Sequence, residues 1–107
     1  MALEHARAGE KVHLGPLGTA LAGARTSAVV KTDRFELVRI VLKAGASIPL
    51  HAVDSYISLQ CLEGAVVLDA GESVRLRPDD WIYLDRREPH ALRGLEDSSL
   101  LLTIYFD

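Results

Sequence analysis

The sequence predicts an all-β fold, a double-sheet barrel or sandwich of short strands, on three observations. Short β-branched and apolar segments recur at intervals of about eight to twelve residues, the rhythm of sandwiches and barrels. Gly-, Asp- and Pro-bearing turns separate them. Beyond Ala24, no segment holds a helical apolar period for three turns.

Residues 1–24 carry Gly9, Gly15, Pro16, Gly18 and Gly23, too many breakers for a stable helix. They are expected to form an N-terminal arm packed on the barrel, tied down in part as an outer strand. Residues 25–107 are expected to form the barrel domain itself. Its strands are placed at 26–31 and 35–43, split by the turn Thr32, Asp33, Arg34, then at 56–62, 65–69, 73–77, 81–84, 90–93 and 99–106. Two joints, Glu63-Gly64 and Ala70-Gly71, link neighbouring runs with a glycine available for positive φ, the local signal of a tight hairpin.

Composition narrows the function classes. A chain of 107 residues, 49% hydrophobic and 25% charged, is one globular domain and not a disordered segment. Its net charge is -3, and its longest basic run, Arg86-Arg87, lies between Asp85 and Glu88. That lacks the footprint of a nucleic-acid binder. A single cysteine, Cys61, excludes an internal disulfide and a cysteine-cluster zinc site. The segment Met1 to His5 has no charged-then-apolar signal pattern, and no apolar stretch approaches the roughly 18 residues of a membrane span. A cytoplasmic protein with no membrane partner is expected.

The stretch from Gly45 through His51 to Gly64 resembles the first motif of the cupin superfamily: Gly, five residues, His-x-His, three or four residues, Glu, six residues, Gly. Gly45, His51 and Gly64 fall in register. Residues 78–90, from Pro78-Asp79-Asp80 to Pro89-His90, resemble the second motif, with its Gly-Asp turn, strand and Pro-His ending. The resemblance implies a small cupin-type, jelly-roll-like barrel of the RmlC-like kind, usually a homodimer. It also implies a metal site of His, His and Glu from the first motif and His from the second. Here His51 and His90 keep the first and last places, but the second His position is Val53 and the Glu position is Ile57. Asp79, Asp85 and Arg87 stand where Gly, Pro and Gly are usual.

Two imidazoles alone make a weak site for a divalent transition metal such as Zn, Fe, Ni, Cu or Mn, because catalytic sites generally use three protein ligands. Strand parity set by His51 sends Val53, Ile57, Leu59 and Cys61 inward, joined by Ile82 and Leu84 from the second motif. Asp54 and Tyr56 have the opposite parity, although a bulge between His51 and the strand re-aims side chains. Arg39 interrupts the apolar odd-numbered face of Phe35, Leu37 and Val41 and lies on the solvent side or at an interface, the alternative being an anion partner in the pocket. Trp81 and Tyr83 fall on the outer face and call for cover by the arm or a second subunit. The expected function is binding of a small molecule in the barrel mouth, with His51 and His90 at the rim and a degraded metal site. Two other classes stay open. One is a metal-dependent dioxygenase or isomerase whose two-His site is completed by water or substrate. The other is a structural or sensory dimer whose barrel is simply full.

Overall fold

Antiparallel pairing organises the chain into two facing sheets in the computed structural model, which describes residues 5–106. Most of the Met1 to His5 segment thus lies outside the described residues. The strands are β1 (Ser27–Lys31), β2 (Phe35–Leu42), β3 (Ser47–His51), β4 (Tyr56–Glu63), β5 (Val66–Ala70), β6 (Glu72–Leu76), β7 (Trp81–Leu84), β8 (His90–Gly94) and β9 (Ser98–Tyr105). One sheet has the order β1-β2-β9-β4-β7, the other β3-β8-β5-β6. This is the double-sheet architecture that the segment rhythm predicts. No helix among the described residues is long and apolar enough to cross a membrane.

Alternation explains which faces meet. β9 sits at the centre of the larger sheet, between β2 and β4. Leu100, Leu102 and Ile104 point into the core, while Leu101, Thr103 and Tyr105 point to the outer face, where Leu101 and Thr103 are half-buried and Tyr105 is exposed. Ile40, Leu42, Ile57, Leu59, Cys61, Val66, Leu68, Leu76, Leu84, Leu92 and Leu100 close the core between the sheets.

Three expectations are corrected. Ser47–His51, left outside the strands by the turn signals, is β3 at the edge of the smaller sheet, where Pro49 needs no ladder donor. Glu63-Gly64 is not a hairpin: β4 and β5 belong to different sheets, and Gly64, at φ 82°, turns the corner between them. In β2 the inward face is even-numbered, Ile40 and Leu42, while Arg39 lies beneath the arm with its Nη1 donating to the Gly15 carbonyl at 3.0 Å. The Ala70-Gly71 joint is the tight hairpin expected, pairing Ala70 with Glu72.

The arm forms no strand among its described residues. It carries a short 3-10 helix, Gly18–Gly23, and its main attachments are side chains of the barrel. The Glu63 carboxylate accepts the Leu17 amide at 2.8 Å, the Gly18 amide at 3.1 Å and the Ser99 hydroxyl. Lys43 Nζ donates to the Leu21 and Ala22 carbonyls at 3.2 and 2.7 Å, and the Leu21 side chain is buried. Partial burial pushes the Glu63 carboxyl up, but the bonds from Ser99, Leu17 and Gly18 and the Arg39 charge together hold it below its ordinary value. A depressed folded value means that Glu63 stabilises the fold fully above the ordinary 4.5 and loses that contribution as pH falls below it. Glu63→Gln is therefore expected to lower stability at neutral pH by about 1–2 kcal/mol, the scale of a lost charge-assisted bond. Melting curves of the two proteins should converge as the pH falls below the ordinary 4.5 and the native carboxylate takes up its proton. A gap that stays constant to low pH refutes the clasp.

Candidate functional site

A single irregularity aims the first histidine. Ile48 and His51 are three residues apart on β3, so a regular strand would send them to opposite faces. The pairing of β3 with β8 shifts register between Ile48 and His51, and both then face the interior. His51 emerges directly opposite His90, the first residue of β8. Their ring centroids lie 4.4 Å apart with planes inclined by 56°. His51 is exposed at the rim, whereas His90 is buried.

Each ring is held in the same way. His51 Nδ1 lies 2.9 Å from the Pro49 carbonyl, and His90 Nδ1 lies 2.9 Å from the Glu88 carbonyl. A carbonyl oxygen only accepts, so each Nδ1 carries the hydrogen and donates it. In the neutral tautomer this leaves Nε2 of each ring as the lone-pair acceptor.

Below the two rings is a cavity of about 150 Å³. His51, Val53, Ile57, Leu59, Ile82, Leu84 and His90, all selected from the sequence, line it together. Ile40, Ile48, Leu68, Leu92, Leu102 and Ile104 complete the wall. The sequence pattern singles out none of these six for the site; they come from β2, β3, β5, β8 and β9. Cys61 has inward parity but does not line the cavity. It is fully buried in the core with Sγ donating to the Glu63 carbonyl at 3.5 Å, and burial raises its thiol above the ordinary value. Asp54 and Tyr56 also stay outside. Asp54 lies 3.9 Å from Arg87 in solvent, and the Arg86 guanidinium sits over the Tyr56 ring at 5.2 Å.

The donor set does not fit a resident metal. Nδ1 bonding to backbone carbonyls is how ligating histidines are commonly oriented, leaving Nε2 free. Yet Val53 and Ile57, at the positions of the other two motif ligands, offer only hydrocarbon to the cavity. No group of three or more His, Cys, Asp or Glu among the described residues could hold a metal ion. The site thus lacks the third protein ligand of catalytic zinc and the carboxylate of a facial triad.

No protein-family model matches the sequence, and no curated protein matches it. Solved structures do. An RmlC-like cupin protein from Desulfovibrio desulfuricans is 22% identical and superposes with a TM-score of 0.74 over 90% of this chain and 96% of that one. A cupin superfamily protein from Desulfitobacterium hafniense is 19% identical, with a TM-score of 0.74 over 77% and 76% of the two chains. Salicylate 1,2-dioxygenase from Pseudoaminobacter salicylatoxidans is 17% identical, with a TM-score of 0.70 over 75% of this chain and 25% of its own. At these identities the likeness establishes fold and leaves chemistry to the site.

Proposed function

This chain is a small protein of the cupin fold, and we propose that it binds a small, largely apolar molecule in the barrel mouth, without a resident catalytic metal. The observation that carries this reading is the lining of the cavity: hydrocarbon throughout, except for two imidazoles at its mouth. That is the composition of a ligand pocket with one or two polar anchors. A guest present at about a hundred times its Kd stabilises the native state by about 2.7 kcal/mol. For a domain this size that raises Tm by roughly 10 °C. A fragment set of monocyclic size, screened by thermal shift, is expected to contain such guests, and substitution of Ile57 by Phe to fill the cavity is expected to abolish their effect. If no fragment shifts the parent protein, the barrel is simply full and the structural-module reading replaces this one.

Metal content tests the second half of the reading. Protein purified without chelators or a metal-affinity step is expected to carry far less than one transition metal per chain. Near-stoichiometric zinc, iron, nickel, copper or manganese, lost in His51→Ala, overturns it and favours a metal-dependent enzyme built on two histidines.

The reading extends to assembly as a homodimer. Phe35, Tyr105 and Tyr56 are register partners across β2, β9 and β4, so they share the outer face of the larger sheet, and Trp81 and Tyr83 continue it on β7. Trp81 and Tyr83 remain 58% and 60% exposed, so the described part of the arm does not cover them. A second copy burying this face supports a two-fold dimer. Light scattering is expected to give twice the chain mass, falling to one in the double variant Trp81→Glu/Tyr83→Glu. A monomeric parent protein refutes the dimer.

A further inference from the structure

The shared orientation of the two imidazoles restricts which small molecule the cavity accepts. We infer that the ligand is a neutral, monocyclic-sized molecule that enters ring first and donates a hydroxyl hydrogen to Nε2 of His90. The inference rests on the binding function proposed above and narrows its chemistry.

Size comes from the cavity. Its volume is about 150 Å³. Aliphatic-lined cavities of about this size stay dry and take up benzene. Every lining residue other than the two histidines is aliphatic and offers no polar partner, so the apolar end of a guest belongs among them.

Polarity comes from the hydrogen-bond inventory. Both Nδ1 atoms are committed to backbone carbonyls, so both neutral rings meet the guest as acceptors. His51, exposed at the rim, keeps access to water, but His90 is buried, and a guest seated in the mouth cuts its Nε2 off from solvent. An acceptor covered without a donor is left with an uncompensated desolvation cost. A hydroxyl supplies the missing hydrogen, whereas an ether or a hydrocarbon does not. A carboxylate is worse still: it brings only lone pairs, and no lysine or arginine lines the cavity to receive it. The register shift in β3 contributes by bringing the His51 ring beside that of His90, with centroids 4.4 Å apart.

Four probes of nearly one size separate the terms: phenol, anisole, toluene and benzoate, titrated into the unaltered protein by calorimetry and thermal shift. Phenol is expected to bind up to about tenfold more tightly than anisole or toluene, the effect of one hydrogen bond at a desolvated acceptor. Benzoate is expected to bind most weakly. In His90→Ala the preference for phenol over anisole should vanish while toluene still binds, and in His51→Ala the preference should persist. Equal affinity for phenol, anisole and toluene overturns the hydroxyl inference and leaves the apolar pocket standing. Tightest binding of benzoate overturns it in favour of imidazolium anchors. Failure of all four to bind removes the pocket itself. The central comparison uses the parent protein, so it stands even if His90→Ala fails to fold.

Discussion

Gly64→Ala is expected to cost about 4 kcal/mol or more of the stability of the fold, whereas Gly71→Ala, a substitution with the same backbone strain, costs only about 1–2 kcal/mol. Gly64 and Gly71 hold nearly identical left-handed conformations, φ 82° and 80°. A Cβ there carries a strain of roughly 1–2 kcal/mol at either site. Space separates them. Nothing lies within 4 Å of a Cβ on Gly71. On Gly64 the added carbon falls 2.8 Å from Ser98 Cα and closer still to the Ser98 hydroxyl and the Asp97 carbonyl, so backbone must move. The segment that would move is fixed: Ser98 is fully buried, and its hydroxyl accepts the Ala65 amide at 3.0 Å and donates to the Glu96 carbonyl at 2.8 Å. Strain, overlap and broken buried bonds together reach about 4 kcal/mol or more. That is a large share of the roughly 5–15 kcal/mol that holds an ordinary domain together. Denaturant melts of the two variants decide the matter. If Gly64→Ala is no less stable than Gly71→Ala, the close packing of the corner against Asp97 and Ser98 is not what fixes it.

The same corner shows what local sequence signals carry and what they omit. Glu63-Gly64 and Ala70-Gly71 look alike along the chain because both need positive φ at glycine. Only one is a hairpin, because membership of a sheet depends on partners far away: β4 joins β9 and β7, and β5 joins β8 and β6. Parity behaves likewise. It assigns Cys61 to the inward face correctly, but a face says nothing of depth, and Cys61 lies in the packed core away from the cavity. In β2 both faces are apolar, so periodicity cannot choose between them; the arm, held by Arg39 and Glu63, covers the outer one. β3 was hidden because Pro49 and a register shift break its alternation, and that shift is what turns His51 inward.

The motif register itself leaves a physical trace. Asp79 and Arg87 stand where the second cupin motif has glycine, and among the described residues they are the non-glycine positions with positive φ, 77° and 59°. Their amides donate to the Cys61 and Val53 carbonyls, each at 2.8 Å, bonds that hold non-glycine residues in a left-handed geometry that glycine favours. The turns that the motif implies are thus present, while the positions of two of its ligands carry hydrocarbon, Val53 and Ile57. The turns belong to the frame, whereas Val53 and Ile57 line the cavity and bear on what it can hold.

That separation of frame from lining makes Leu68→Ala the most informative core substitution. Leu68 is 1% exposed on β5, between Val74 of β6 and Leu92 of β8, and its side chain forms part of the cavity wall. Truncation removes buried methyl groups and enlarges a space that already exists, so little of the loss is recovered by collapse. Leu→Ala changes of this kind cost about 3–5 kcal/mol, which corresponds to a fall in Tm of at least roughly 10 °C for a domain of this length. The loss has a counterpart in binding. A guest that fills the enlarged space regains the missing contacts, and its binding to the native state raises stability by mass action. A bicyclic guest of indole size is therefore expected to raise the Tm of Leu68→Ala strongly and that of the parent protein weakly. Paired melts with and without the guest read both effects at once. A variant that melts like its parent shows that the wall is not packed around Leu68. A destabilised variant that no larger guest rescues shows that the cavity floor collapses, and with it the view of the barrel as a preformed pocket.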